Sequence, residues 1–241
     1  MNKKMFRLMA GLCVIFVAVA LAEHCEAQED GKRVEGYVFY RANLISPDMN
    51  KNFWSHDLSA YSLVDGKYGL GLDNTYCPDK DYFRTKPFAT VNVVGGLNLL
   101  GGLSLDNAGG DYAQLGFWYF GKLGEKVKIF LDPRFYIGTS EGARDFFEGY
   151  AEINYPLNDK FTLAINVLHD YWWESNTNWM LVGPVVYWKI NSSITVFARI
   201  ARETNFEGGD ATDIRTAIKL SFQSSNSRVG CECNLPDFFM E

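Results

Sequence analysis

After Leu21 the sequence contains no apolar run that approaches the ~20 consecutive residues of a membrane-spanning helix. Hydrophobic residues nevertheless make up 47% of the chain, and aromatic residues make up 15%. A membrane barrel spreads its apolar surface over alternate residues, so that no single segment has a strong hydropathy signal. If this protein meets a membrane, we therefore expect it to do so with strands.

Histidine is scarce, so an enzyme that used a histidine base would depend on His24, His56 or His169. His169 and Ser175 lie at one predicted rim, where a membrane-embedded lipid hydrolase would place such a pair, but no acyl-hydrolase motif surrounds them. The contiguous run 55–57 (Ser-His-Asp) is no triad, because spatial geometry assembles a triad. No Walker loop, dinucleotide fingerprint or zinc-finger spacing is present. We expect no catalytic site, no metal and no cofactor.

The first 22 residues have the charged, apolar and small-residue order of a secretory signal peptide. Cleavage fits after Ala22 or after Ala27, and we favour Ala22. That cleavage would remove three basic residues and no acidic one, which moves the formal net charge from −6 to −9. So acidic a chain is a poor partner for nucleic acid.

From Arg33 onward the sequence breaks into short runs of alternating character, bounded by Gly, Asn, Asp or Ser. We predict twelve strands, at 33–43, 56–64, 67–75, 87–94, 97–106, 111–121, 126–138, 146–155, 160–171, 178–188, 193–203 and 212–222. The fold class is all-β, with residues 33–222 forming a closed antiparallel transmembrane β-barrel. Residues 23–32 then form a periplasmic segment, and residues 223–241 form a cysteine-bearing tail.

The connections between these strands alternate between short turns, such as Asp65-Gly66, and longer polar links, such as 44–55 and 76–86. Outer-membrane barrels have short periplasmic turns and longer outer loops. An even strand number places both ends of the barrel in the periplasm. The turn lengths and the strand count therefore predict the same orientation.

Alternation also predicts which side chains point inward. In the last strand Ile214, Ile218 and Phe222 alternate with Arg215 and Lys219, so one face suits lipid and the other suits water. We expect the following residues to line the lumen and to set its selectivity: Lys128, Asp132, Arg134, Glu148, Tyr150, Glu152, Arg199, Glu203, Arg215 and Lys219. Mixed charge of this kind suits an aqueous channel, whereas an ion-pair network that fills a closed barrel is the alternative.

Aromatic residues cluster near the predicted strand ends, as in the two interfacial belts of a membrane barrel. We expect one belt from residues 118–120 with 187–188, and a second belt from residues 171–173 with Trp179. Core aromatics of a soluble β protein are the alternative.

Cysteine positions suggest a link between the two ends of the chain. With cleavage after Ala22, Cys25 and the pair Cys231 and Cys233 flank the barrel on its periplasmic side, whereas Cys77 falls in an outer loop. A disulfide from Cys25 to Cys231 or Cys233 suits an oxidising compartment. Cleavage after Ala27 would remove Cys25 and this disulfide with it.

The segment from Arg215 to Phe222 resembles the aromatic-ended final strand of Gram-negative outer-membrane β-barrels. The chain continues to Glu241, so Phe238 and Phe239 offer an alternative recognition element. The resemblance implies insertion by the outer-membrane assembly machinery into a bilayer that contains lipopolysaccharide. The segment 130–135 (Phe-Leu-Asp-Pro-Arg-Phe) and the strand count are faintly similar to nucleoside-specific outer-membrane channels, which implies a narrow, polar lumen.

These observations together predict an exported outer-membrane channel that lets small hydrophilic solutes pass. A structural or ligand-binding barrel that does not conduct is the alternative, and a membrane-embedded lipid hydrolase is a third hypothesis. The sequence does not identify the solute.

Overall fold

The computed structural model describes residues 33–46, 53–108, 110–206 and 210–223. These residues form strands joined by short links, with one 3₁₀ turn at Pro78–Lys80. The strands are β1 (Val34–Ser46), β2 (Phe53–Val64), β3 (Tyr68–Cys77), β4 (Tyr82–Val94), β5 (Leu97–Asp106), β6 (Tyr112–Leu123), β7 (Val127–Gly138), β8 (Phe146–Pro156), β9 (Phe161–Trp172), β10 (Thr177–Lys189), β11 (Ile194–Thr204) and β12 (Asp210–Gln223).

Every strand pairs antiparallel with its neighbours in the chain, and β1 pairs with β12 to close the barrel. In that closing pair Gly36 lies opposite Phe222, and Arg41 lies opposite Ala217. Closure leaves no strand edge unpaired, which removes the site where sheets aggregate. Among the described residues no helix is long and apolar enough to cross a membrane. The predicted all-β fold with twelve strands is therefore confirmed.

The strand boundaries agree closely with the alternation, except at the start of β4. The sequence predicts a start at Pro87, after a polar link at 76–86. In the structure β4 begins at Tyr82, and Pro87 lies inside it opposite Leu72 of β3. On the β5 side the ladder lacks the pairs at 86–87, but its register is the same before and after the gap, since Thr85 lies opposite Leu105 and Phe88 lies opposite Gly102. One interrupted ladder therefore accommodates the proline without ending the strand.

The links fall into two groups, one at each end of the barrel. At the end where the barrel chain begins and finishes, here called the turn end, the links are 65–67, 95–96, 124–126, 157–160 and 190–193. At the opposite end, here called the loop end, the fully described links are 78–81, 139–145 and 173–176, and the strands that flank 47–52, 107–111 and 205–209 also end there. Asp65 and Gly66 both have positive φ, as a tight hairpin turn requires. The strands extend into the predicted loops, so the two groups differ less in length than the sequence suggests.

The outer surface of the barrel is apolar at alternate positions. Along β9, Phe161, Leu163 and Ile165 are exposed, whereas Ala164 and Asn166 on the opposite face are buried. A soluble protein exposes polar side chains and buries apolar ones. Here the apolar side chains face outward, which suits a surface covered by lipid chains.

The predicted aromatic belts were wrong for the inward half of their residues. Tyr119 and Trp188 are exposed on the outer surface, but their neighbours Trp118 and Tyr187 are buried inside the barrel. Successive residues of a strand point to opposite faces, so adjacent aromatics cannot share one belt. Phe120, Trp172 and Trp179 are likewise on inward-facing positions, whereas Tyr171 and Trp173 face outward.

Several expectations concern residues outside the described ranges. These are the signal peptide with its cleavage after Ala22 or Ala27, the segment 23–32, all but the first residue of the tail 223–241, and the disulfide between Cys25 and Cys231 or Cys233. They stay predictions. Cys77 is described, and it is a free, buried cysteine at the end of β3 rather than a loop residue.

Candidate functional site in the lumen

All ten residues predicted to line the lumen occupy inward-facing positions of their strands. In the register of β7 and β8, Arg134 lies opposite Glu148 and Asp132 lies opposite Tyr150. Lys128 and Glu203 are half-buried and lie toward opposite ends of the barrel, whereas the other eight are buried. Their influence on selectivity stays a prediction.

Nine aromatic side chains fill the middle of the barrel and are here called the aromatic layer. They are Tyr37, Phe39, Tyr61, Phe88, Trp118, Phe130, Tyr150, Tyr187 and Phe197. Each is at most 5% exposed. Tyr61 of β2 meets Trp118 of β6 edge to face, with 5.2 Å between ring centroids, and Phe39 stacks on Phe197 at 5.8 Å. Because these rings meet between strands that are not neighbours, the layer closes the lumen.

Inward-facing glycines make room for the aromatic layer. A Cβ added to Gly71 would lie 2.0 Å from the Phe88 ring, and a Cβ on Gly69 would lie 2.1 Å from the Tyr61 hydroxyl. Gly102 and Gly116 are crowded by the main chain instead, since an added Cβ would lie 2.4 Å from the Pro87 carbonyl oxygen and 2.3 Å from the Pro133 carbonyl oxygen. Large rings therefore oppose residues without side chains, which is how a close-packed interior is built.

Between the aromatic layer and the loop end lies a cavity of about 590 Å³, here called the cup. Tyr37, Phe39, Phe88, Trp118 and Phe130 of the layer line its inner end. Six cationic and six anionic side chains line its wall, namely Arg41, Lys80, Arg84, Lys86, Arg134 and Arg215 with Asp57, Asp73, Asp106, Asp132, Glu148 and Asp170. The charge of the wall is therefore balanced.

Ion pairs join the walls of the cup to one another. Lys86 of β4 reaches across the lumen to Glu148 of β8, with 3.2 Å between Nζ and Oε1, and also bonds the Tyr136 hydroxyl at 3.0 Å. Arg134 of β7 contacts Asp132 at 2.6 Å and Asp73 of β3 at 3.6 Å. Charges held in this way are costly to separate, because removing one partner leaves the other buried and unpaired.

A second charged cluster lies on β11 and β12. Arg199 and Arg215 lie directly opposite each other in the register, which places two like charges side by side. Asp213 lies between them and accepts hydrogen bonds from both, at 2.9 Å from Arg199 and 2.8 Å from Arg215. The side chain of Asp213 is fully buried. The Asp213 carboxylate therefore offsets the repulsion between the two arginines.

Glu152 links the aromatic layer to this cluster. It accepts a hydrogen bond from the Tyr150 hydroxyl at 2.6 Å and from the Tyr187 hydroxyl at 2.8 Å. Asn166 donates to Tyr150 at 3.2 Å and accepts from Arg199 at 3.4 Å. The polar network is continuous from β8 to β12, and it anchors two rings of the layer by their hydroxyl groups.

The residues predicted to line the lumen omit those that β4 contributes to the cup. Arg84 and Lys86 line the cup from the part of β4 that the sequence assigned to a loop. The signal was present, because Tyr82, Arg84, Lys86 and Phe88 keep period 2 across Pro87. A predicted strand that continued across Pro87 would have included Arg84 and Lys86.

The histidine considered for catalysis lies on the outer surface. His169 Nε2 is 3.1 Å from Asn178 Oδ1, and its ring contacts Phe147. The Ser175 hydroxyl contacts Thr177 at 2.9 Å. Within the described residues no group of three or more His, Cys, Asp or Glu side chains could hold a metal ion.

Comparison with known proteins identifies relatives of the fold only. No family model matches the sequence, and no curated protein matches it significantly. A solved structure of the KdgM porin matches with a TM-score of 0.60 and 11% identity, over 77% of this chain and 99% of that one. The NanC porin matches with a TM-score of 0.59 and 8% identity, over 76% and 98%. A KdgM porin in complex with disordered oligogalacturonate matches with a TM-score of 0.58 and 13% identity, over 77% and 99%.

Sequence identities this low establish a shared architecture and nothing about the solute. The match extends over nearly the whole length of the two porins, so the shared architecture is that of the complete barrel. The chain therefore has the closed-barrel fold of the outer-membrane porins.

Proposed function

We propose that the protein is an outer-membrane channel that admits small hydrophilic solutes from the loop end. The observation that carries this proposal is the cup, a charged cavity of about 590 Å³ inside a barrel whose outer surface is apolar. Charged side chains that face water inside a membrane barrel select among solutes. The partners that follow are a lipid bilayer with lipopolysaccharide, the assembly machinery of the outer membrane and the solute itself.

The aromatic layer makes this a channel that is closed in the structure. A solute in the cup meets five rings at its inner end, and buried side chains such as Asn154 and Thr195 occupy the lumen nearer the turn end. Passage therefore requires rings of the layer to move aside. We expect brief, infrequent openings of the wild-type protein rather than the steady conductance of a wide pore.

The aromatic layer also supports a second candidate, a barrel that binds a ligand in the cup and never conducts. Single-channel recording in planar bilayers, together with solute uptake by proteoliposomes, separates the two. Openings and uptake support a channel. If neither the wild-type protein nor a variant without Trp118 conducts or admits solute, the channel proposal is overturned and the second candidate stands.

Membrane insertion has its own test. A lipid-facing barrel resists unfolding by detergent until it is boiled, so the folded and boiled forms should migrate differently in a gel. Identical migration of the two forms, with the protein recovered in a soluble fraction, would exclude a membrane barrel.

A further inference from the structure

Two pairs of lysines lie side by side at the turn end of the barrel. Lys122 of β6 lies directly opposite Lys128 of β7. The backbone N–H of Lys189 donates to the carbonyl oxygen of Lys160 at 2.8 Å, so these two residues extend the register of β9 and β10 by one further pair. Directly opposed residues share one face of a sheet, and like charges in such a pair are destabilising.

These lysines face the mouth of the lumen. Lys128 is on an inward-facing position, and Lys122 opposite it shares that face. On β10 the exposed Trp188 faces outward, so alternation turns Lys189 inward. Lys128 is half-buried, and the other three lysines are exposed. Both pairs are therefore accessible from the turn end, unlike the buried groups around the cup.

The surrounding carboxylates are too few to balance these lysines. The sector of the turn end from β6 to β10, here called the basic rim, holds Lys122, Lys126, Lys128, Lys160 and Lys189. The links of this sector contribute two acidic residues, Glu125 and Asp159. Among the described residues, Lys122, Lys160 and Lys189 make no side-chain ion pair. The basic rim therefore has five lysines against two carboxylates.

The chain itself continues from the turn end with acidic residues. β12 ends there at Gln223, and the rest of the tail, residues 224–241, lies outside the described ranges. This segment contains three acidic residues, Glu232, Asp237 and Glu241, and one basic residue, Arg228. Three negative charges against one positive charge give a net charge of −2, which is opposite in sign to the charge of the basic rim.

The tail is long enough to cross the whole basic rim. Six strand spacings separate β12 from β6 in the barrel, and one strand, β11, lies between β12 and β10. Neighbouring strands lie about 4.8 Å apart, so the path to β6 is about 30 Å long. The 18 residues 224–241 span up to about 60 Å when extended. The N-terminal segment 23–32 is also acidic, but it joins β1, on the far side of β12 from the basic rim. Position therefore favours the tail.

We infer that the basic rim is a docking surface for this chain's own acidic tail, residues 224–241, whose carboxylates offset the repulsion within the lysine pairs. The contact joins exposed charges, so salt weakens it, since the Debye length falls from about 10 Å at 0.1 M to about 3 Å at 1 M ionic strength. The inference goes beyond the proposed channel, because docking requires neither a solute nor conduction.

Cross-linking with a water-soluble carbodiimide tests the inference on the full-length protein, folded in detergent at low ionic strength. The reagent joins a carboxylate to an amine where the two are in contact. We expect mass spectrometry to find links from Glu232, Asp237 or Glu241 to lysines of the basic rim, and to lose these links in about 1 M salt. Links that come only from residues 23–32, or an absence of links to the tail, would overturn the inference.

Isotope labelling distinguishes a chain's own tail from the tail of a second copy. Barrels with normal nitrogen and barrels with heavy nitrogen are mixed in equal amounts before cross-linking. Cross-linked peptides that carry a single label come from one molecule and support the inference. Peptides that combine both labels would place the tail of a second copy on the basic rim and would exclude docking within the chain.

Amine acylation measures how well the tail covers the basic rim. The tail variant replaces all three acidic residues by their amides, through Glu232→Gln, Asp237→Asn and Glu241→Gln. Lys160 and Lys189 should then react several-fold faster than in the wild-type protein, because no carboxylate side chain holds the tail over them.

The control variant removes the same number of carboxylates from exposed positions at the loop end, through Asp81→Asn, Glu141→Gln and Glu174→Gln. Lys160 and Lys189 should react in this variant as they do in wild type. Equal acylation rates in wild type, control and tail variant would show that the tail does not cover the basic rim. Gel migration before and after boiling shows that each variant is folded.

Discussion

Tyr61 of β2 and Trp118 of β6 meet edge to face across the lumen, with 5.2 Å between their ring centroids. Phe88 also meets Trp118 edge to face, at 5.3 Å. Trp118 therefore contacts rings from two strands that are not its neighbours. It is the side chain whose removal would most directly open the aromatic layer.

Trp118→Ala should increase the conductance of the barrel several-fold, because it removes a ring that joins two sides of the aromatic layer. The control is Tyr119→Ala, the next residue of β6, whose side chain is exposed on the outer surface. Single-channel recording should show longer or larger openings for Trp118→Ala and wild-type behaviour for Tyr119→Ala. Equal conductance of Trp118→Ala and wild type would mean that the layer is not the barrier.

Gly71→Ala should destabilise the barrel by about 1–3 kcal/mol, since overpacking a filled interior costs this much. The new Cβ would lie 2.0 Å from Cζ of Phe88 and would push that ring out of the aromatic layer. Gly101→Ala is the matched control, because its Cβ would face outward and meet only Leu115 at 3.7 Å. Urea unfolding in lipid vesicles measures both. Equal midpoints for the two variants would contradict close packing of the Phe88 ring against Gly71.

Asp213→Ala should destabilise the barrel by about 3–5 kcal/mol, because it leaves Arg199 and Arg215 facing each other without their shared carboxylate. Asp210→Asn in the same strand is the control, since its ion pair with Arg202 is exposed. The unfolding midpoint should fall for the first variant and stay unchanged for the second. A stable Asp213→Ala barrel would show that the two arginines find other partners.

Lys86 and Glu148 should shift ion selectivity in opposite directions. In a Trp118→Ala background, Lys86→Met removes one cation from a charge-balanced wall and should favour cations, whereas Glu148→Gln should favour anions. The reversal potential in a salt gradient measures both effects, and Glu174→Gln outside the cup should leave it unchanged. Shifts of the same sign in both variants would contradict a role for the wall charges in selectivity.

Local periodicity explains why so much of this fold follows from sequence. Alternation within each strand was sufficient to place Arg134 and Glu148 on the inward faces of β7 and β8. The predicted aromatic belts were wrong because they grouped consecutive residues such as Trp118 and Tyr119, which alternation places on opposite faces of the strand.

Contacts between distant strands were beyond sequence reasoning. The meeting of Tyr61 with Trp118 depends on barrel closure and on how side chains from separate strands share the lumen. Lys86 was missed for a different reason, since it falls in the predicted polar link 76–86, whereas β4 begins at Tyr82 and only its β5 ladder has a gap at 86–87. Closure of the lumen is therefore a property of the assembled barrel rather than of any one strand.

The glycines that receive the aromatic rings also make the barrel wall uneven. Gly69 and Gly71 lie on β3, so the inward face of this strand is bare peptide behind the Tyr61 and Phe88 rings. If Phe88 or Tyr61 moves away, the space it leaves is bordered by the main chain of Gly71 and Gly69. A solute that passes here would contact main-chain N–H and C=O groups. Selectivity at this point would then depend on the backbone, whereas the charged side chains of the cup act before the solute reaches it.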